Sequence, residues 1–239
     1  EHSLDANSFR CRCDFHKNYP ITSGRLHFTS IRPLSKLYAI FKGMKIVLAT
    51  NNSHKIKEYR SLFANMPIEV LSLSDVAIKS DIEETGTSYE ENAAIKAENI
   101  AQLTNYLVIA DDSGLEINAL GGSPGLNSAR FAAQHKSQSE ANRAILKSLE
   151  HADNRQARFV CAIALANYHG RLNLFRGECL GRILLHPEGE SGFGYDPIFF
   201  SDEAKACFAA IGEDQKNRYS HRAKAVEQLL AFLADEKII

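Results

Sequence analysis

Apolar runs of strand length alternate with amphipathic stretches along most of this chain. KIVLAT (Lys45–Thr50) reads as a buried strand from its unbroken apolar character. Asn51 to Ser53 form a turn, and Ser53 is placed to cap a helix from His54 to about Asn65. Ile68–Leu73 is a short strand, followed by a polar, acidic loop over Ser74–Gly86. Thr87 or Ser88 then opens a long helix to about Thr104, where SYEE resembles a capping box. A strand over Tyr106–Ala110 leads into two aspartates, a turn at Gly114 and a second strand-like stretch. Beyond the loop GGSPG (Gly121–Gly125) come a helix around Ser137–Glu150 and two β-rich segments, Ala157–Tyr168 and Leu172–Leu185. A second glycine-rich loop, GESGFGYDP, leads to Ile198–Phe200, and an amphipathic helix over roughly Ser220–Ala234 closes the chain. Early alternation of helix and strand followed by a late β-meander predicts an α/β fold, a mixed twisted sheet flanked by helices.

Composition narrows the function classes. With 239 residues, 44% of them hydrophobic, the chain can bury one sizeable core. A net charge of -1 gives no global basic field, so nucleic acid is not expected as a partner. No apolar stretch is long enough to span a bilayer, so no membrane association is expected either. The five cysteines form no CxxC and have no histidines at zinc-finger spacing, which favours buried thiols in a reducing cytoplasm.

Residues 1–43 differ from the rest. They hold seven Lys/Arg against three acids, show no clear period and lack the apolar core of a secretory signal. We read them as a non-catalytic, poorly ordered extension, with Met44 as the natural beginning of a domain over 44–239.

The chemistry starts at VIADDSGLEI (Val108–Ile117). Two adjacent carboxylates, Asp111 and Asp112, at the end of a buried strand are costly unless a cation or several donors compensate them. Hard oxygen ligands on a rigid element suit divalent-metal chemistry on phosphates, while a plain capping turn is an even competitor.

Five further stretches bear on that choice. ATNNSHK (Ala49–Lys55) puts Thr50, Asn51, Asn52, Ser53, His54 and Lys55 at a strand–turn–helix junction, where free N–H groups and the dipole favour phosphate. It lacks the glycine spacing of a P-loop. In DIEETGTSYEENAAIKAEN (Asp81–Asn99), Asn92, Lys96 and Asn99 share one helical face suited to a triphosphate tail, and Glu83 or Glu84 can reach a metal from the loop before it. In GGSPGLNSARF (Gly121–Phe131), Arg130 serves a phosphate or pairs with an acid. In SGFGYDPIFF (Ser191–Phe200), flanking glycines leave the Phe193 ring free to stack on a base. In KNRYSHRAKA (Lys216–Ala225), Lys216, His221 and Arg222 are donors able to read a base carbonyl. Each has an ordinary reading as well: a surface lysine, a solvated helix face, packed aromatics, a basic helix start.

Taken in order, ATNNSHK, EETG, ENAAIKA, ADDSGL, GGSPGLNSAR, GFGYDPIF and SHRAKA resemble the inosine/xanthosine triphosphate pyrophosphatases, enzymes that remove non-standard purine nucleoside triphosphates. The resemblance covers essentially all of 44–239 and none of 1–43. It implies two lobes around a central nucleotide-binding groove, a homodimer, and Mg²⁺-dependent hydrolysis of ITP, dITP and XTP to the monophosphate and pyrophosphate. Carried over by motif, Thr50 to Lys55 and Lys96 hold the phosphates, Asp112 is general base and metal ligand, and Glu83 is the second metal-side acid. Ser113 contacts the substrate, Phe193, Gly194, Tyr195 and Asp196 cradle base and ribose, and Lys216, His221 and Arg222 meet the purine. A different metal-dependent phosphohydrolase and a nucleotide-binding module without turnover are the competing classes.

Overall fold

The computed structural model describes residues 40–167 and 169–235. The expected extension, apart from its last four residues, lies outside them, as do Cys11, Cys13 and Tyr168.

A seven-stranded sheet organises the chain, in the order β2-β1-β3-β4-β5-β6-β7. Its strands are β1 (Met44–Leu48), β2 (Ile68–Ser72), β3 (Leu107–Ile117), β4 (Gln156–Ala166), β5 (Leu172–Ile183), β6 (Phe199–Ser201) and β7 (Ala206–Cys207). β1 pairs in parallel with β2 and β3, and every later pair is antiparallel. The mixed sheet and flanking helices are those the pattern predicted. Both neighbours of β1 are parallel and both its faces are covered, which is why KIVL carries no alternation.

The helices are α1 (Ser53–Phe63), α2 (Tyr89–Ala101), α3 (Ser128–Ala133), α4 (Gln138–Ser148), α5 (Glu213–Lys216) and α6 (His221–Asp235). On one face of the sheet, Tyr59 and Phe63 of α1 and Val226, Leu229 and Leu233 of α6 pack on Ile46, Leu48, Ile109 and Ile163. On the other face, Ala93, Ala97 and Ile100 of α2 pack on Val47, Val108, Ala110 and Ala164. A third cluster, with Ile145 of α4 and Leu149 just past its end against Leu115, Phe159, Phe199 and Phe208, closes the far end of the sheet.

Three local expectations change. Asn52, not Ser53, caps α1, its Oδ1 accepting from the backbone N–H of His54 at 2.9 Å and of Lys55 at 3.3 Å. Asparagine wins because it stands one residue earlier in extended conformation, with φ -78 and ψ 110, as an N-cap must. β3 does not turn at Gly114. It runs eleven residues, paired with β4 from Val108 to Ile117. Glycine is needed there because a Cβ would stand 2.2 Å from the Gly125 carbonyl oxygen, which presses on the strand. Finally, Phe41, ahead of the expected start at Met44, is fully buried with Ile46, Leu48 and Tyr59.

Candidate active site

Because β3 stays extended, its side chains alternate between the two faces of the sheet. Asp111 points to the α1/α6 face and Asp112 to the α2 face. Their adjacency in sequence therefore gives them separate surroundings and separate work.

On the α2 face, Asn92 Nδ2 donates to Asp112 Oδ2 at 3.1 Å. Asn92 Oδ1 accepts from Gly86 N–H at 2.8 Å, which fixes the amide so that its donor end meets the carboxylate. Asp112 Oδ1 accepts from Ser113 N–H at 3.0 Å, and Lys96 Nζ lies 3.7 Å away. Lys96 Nζ is itself held by Glu84 Oε1 at 2.6 Å and by the Asp111 carbonyl oxygen at 2.7 Å. Burial pushes the Asp112 carboxyl above the ordinary aspartate value, against the pull of Lys96 and Lys55, with Glu84 adding to the rise. A carboxylate with a raised pKa is a stronger proton acceptor at neutral pH. Burial would lower the Lys96 pKa, but Asp112, Asp111 and Glu84 outweigh it, so the ammonium stays charged.

On the other face, Asp111 is buried against cations. Arg222 Nε and Nη2 donate to its Oδ2 at 3.1 and 2.7 Å, and Lys55 Nζ lies 3.0 Å from Oδ1. Burial alone would raise its pKa. The charges of Lys55, Arg222 and Lys96 outweigh burial and hold it well below the usual carboxylate range. Asp111 is thus a fixed anion that places two cations.

Arg222 was expected to read the purine, but the structure commits it elsewhere. It bonds Asp111 twice, Glu58 Oε2 at 2.5 Å and Ser113 Oγ at 3.0 Å, using four of the five N–H groups of a guanidinium. Two acids on separate elements converge on it, so its donors are spent on the scaffold. Glu58 was missed by sequence reasoning. It is a buried helix glutamate whose second oxygen lies 3.6 Å from Lys216 Nζ. An acid on the otherwise apolar inner face of α1 was the available signal.

A groove of about 490 Å³ joins these groups. At one end lie Thr50, Asn51, Asn52 and Lys55, at the start of α1. Lys96, Glu84, Asp112 and Ser113 form the middle. Phe193, Gly194, Tyr195, Asp196, Lys216, His221 and Arg222 line the other end. There Lys216 Nζ pairs with Asp196 Oδ2 at 2.7 Å, and Asp196 Oδ2 also accepts from Phe193 N–H at 2.9 Å. Tyr195 Oη donates to the Ser128 carbonyl at 2.7 Å. His221 is buried and stacked on Phe159, with ring centroids 4.7 Å apart. Burial, then Arg222 and Lys216, push its pKa well below the usual histidine value, so the ring is neutral.

Several expected contacts fall outside the groove. Glu83 is exposed and does not line it, whereas Glu84 does. From the segment before α2, Ser80, Asp81, Ile82 and Glu84 line the groove. Ser53 and His54 also leave the lining, because the first turn of α1 carries them outward. Asn99 is exposed and bonds back to Ile95 O at 2.7 Å, apart from Asn92 and Lys96. Arg130 does line the groove, but it pairs with no acid side chain among the described residues. It holds the Glu84 carbonyl at 3.0 Å and Asn127 Oδ1 at 3.1 Å, bracing the loop that presents Glu84.

Among the described residues no group of three His, Cys, Asp or Glu side chains is placed to hold a metal. Two carboxylates, Asp112 and Glu84, do face one stretch of groove and meet at Lys96. That donor set fits Mg²⁺, which is held by one or two carboxylates together with waters and substrate phosphates. It does not fit a cation that demands a full protein cage.

A cationic helix start, a buried carboxylate and an aromatic end lie along one groove on a mixed α/β sheet, and the relatives of this chain make it a hydrolase of nucleotide metabolism. The chain belongs to the Ham1 family, which matches residues 46–232. It is 45% identical over 193 residues to a dITP/XTP pyrophosphatase of Listeria monocytogenes, covering 80% of this chain and 95% of that protein. It is 42% identical over 192 residues to the dITP/XTP pyrophosphatase of Thermoanaerobacter pseudethanolicus, covering 80% and 96%. Among solved structures, the Ham1 protein of Staphylococcus aureus superposes with a TM-score of 0.71 at 40% identity, covering 80% of this chain and 99% of that one. A HAM1 protein from Coxiella burnetii gives 0.71 at 39% identity, with the same coverage of this chain.

Proposed function

We propose that this chain hydrolyses deaminated purine nucleoside triphosphates (ITP, dITP and XTP) to the monophosphate and pyrophosphate, clearing them from the nucleotide pool. The observation that carries the reading is Asp112. It is a buried carboxylate of raised pKa set between a cationic helix start and the end of the groove lined by Phe193, Lys216 and neutral His221.

Asp112 accepts the proton of the water that attacks the α-phosphorus, and its hydrogen bond from Asn92 holds the acceptor oxygen in place. Lys55 and Lys96 are anchored on Asp111 and oppose the charge that builds on the departing pyrophosphate. Thr50, Asn51 and Asn52 carry the phosphate tail at the start of α1. Asp112 and Glu84 would hold Mg²⁺, which when bound supplies neutralisation of the phosphate oxygens.

At the other end Phe193 offers a ring face to the base. Lys216 donates to a 6-oxo group, and neutral His221 donates from one ring nitrogen, whereas a 6-amino group meets donors and is rejected. Losing such a hydrogen bond in a polar pocket is worth a discrimination of ~10⁴. The same reading carries a cytoplasmic homodimer, in keeping with the family resemblance.

Pyrophosphate release from ITP, XTP, GTP and ATP in the presence of Mg²⁺ is the direct test. Release from ITP and XTP and little from ATP supports the reading. Orthophosphate as the sole product would assign the groove to a different phosphohydrolase.

A further inference from the structure

The sequence pattern groups His54 with the phosphate-binding turn, yet its imidazole is elsewhere. It lies flat on the Phe193 ring, with centroids 5.1 Å apart and an interplanar angle of 10°. Phe193 has little to fix it within its own loop. Gly192 and Gly194 on either side adopt left-handed backbone, with φ +77 and +64, and bring no side chain. The backbone is tied through Phe193 N–H to Asp196, but the ring is held by groups from outside the loop. These are His54 on one element and Lys216 Nζ, 4.8 Å from the ring centroid, on another.

A second cavity of about 260 Å³ lies behind this wall, and both His54 and Phe193 line it. Phe193 and Lys216 also line the main groove, while His54 does not. The imidazole therefore approaches the Phe193 ring from outside the main groove, which the ring also lines.

We propose that His54 is a positioning residue for base recognition: it backs the Phe193 ring so that the groove face is presented to the purine before substrate arrives. This rests on the nucleotide reading above and assigns His54 to the base rather than to the phosphates. The physical basis is pre-organisation. A ring flanked by glycines would otherwise lose its side-chain freedom on binding, and that cost would come out of affinity. A parallel ring pair is worth roughly three- to tenfold in an equilibrium constant.

The test compares a ligand with a base and one without. Calorimetric affinities for inosine monophosphate and for inorganic tripolyphosphate are measured in the wild-type protein, His54→Ala and His54→Phe, alongside ITP kinetics. The expected result for His54→Ala is a roughly three- to tenfold weaker affinity for the monophosphate, with tripolyphosphate unaltered. The loss in ITP hydrolysis should fall on KM rather than kcat, and His54→Phe should restore it. Equal weakening of both ligands would make His54 a phosphate contact and overturn the proposal. Tighter monophosphate binding in His54→Ala would mean that the imidazole occupies the base's own place, and would overturn it too. Wild-type turnover of ITP judges the nucleotide reading separately: a wild-type protein that binds the monophosphate without hydrolysing ITP contradicts that reading and leaves the His54 comparison intact.

Discussion

Asn92 and Asp112 meet through a single hydrogen bond of 3.1 Å from the amide nitrogen to Oδ2, and Gly86 leaves the amide no alternative orientation. Two consequences follow for catalysis. Asp112→Asn removes the proton acceptor while preserving volume, so turnover should fall by roughly 10²–10⁴ with nucleotide binding retained. Near-wild-type turnover in that variant would exclude Asp112 as the base. Asn92→Ala removes a bond that favours the charged form of Asp112, so the acidic limb of the kcat/KM profile should move to higher pH. An unmoved limb would mean that another group sets it.

Glu84 and Glu83 separate cleanly as a pair. Glu84 faces the groove, pairs with Lys96 at 2.6 Å and has its backbone braced by Arg130, whereas Glu83 faces solvent. Glu84→Gln should raise the Mg²⁺ concentration needed for half-maximal activity about tenfold or more, by analogy with the loss of a metal ligand's support. Glu83→Gln should leave the magnesium titration where it was. The reverse outcome would return the assignment to Glu83.

That pair shows where the sequence is legible and where it stops. The strands, the long helices and the mixed sheet follow from apolar runs and periodicity, because those patterns are local. Motif resemblance brought the groove residues together, from Thr50 through Asp112 to His221. It could not tell Glu83 from Glu84, because the facing of a loop residue is set by contacts from other elements, here Asn92 on Gly86 and Arg130 on the Glu84 carbonyl. It could not see that Arg222 is consumed by Asp111 and Glu58, since those partners lie 111 and 164 residues away. Gly114 looked like a turn for the same reason. The carbonyl that requires its bare Cα comes from Gly125, in a loop that folds back onto the strand.

His221 should leave a mark on stability as a function of pH. It is neutral in the folded protein because burial, Arg222 and Lys216 depress its pKa well below the unfolded value of about 6.5. As pH falls through that value, the unfolded chain takes up a proton that the folded chain refuses. Unfolding is then favoured, and stability declines from neutral pH toward pH 5. Asp111 does not add to this slope. Its depressed pKa contributes stability above the unfolded aspartate value of about 3.9, and that stability is lost only as pH falls through the lower folded value. Asp112 and Asp196, whose pKa values are raised, act in the opposite sense at the acidic end of the window. Denaturant midpoints from pH 5 to 7 should therefore fall more steeply with acidity in the wild-type protein than in His221→Gln. Parallel curves would show that His221 is not held neutral.

Phe41 ties the end of the N-terminal stretch to the folded domain. We propose that residues 1–43 contribute nothing to catalysis, and activity should persist in a chain that starts at Met44. That chain nevertheless loses a fully buried phenyl ring packed among Ile46, Leu48, Tyr59 and Phe63. Removing such a ring exposes its neighbours or leaves a cavity, at a cost of about 3–5 kcal/mol by comparison with Phe→Ala changes in cores. A chain starting at Ile40 keeps the ring and should retain the stability of the 239-residue chain. The three chains are to be compared by urea midpoint and by pyrophosphate release at a temperature where all are folded. Equal midpoints for the starts at Ile40 and Met44 would show that Phe41 packs without stabilising. Loss of activity in the folded Ile40 chain would place a functional residue upstream of it.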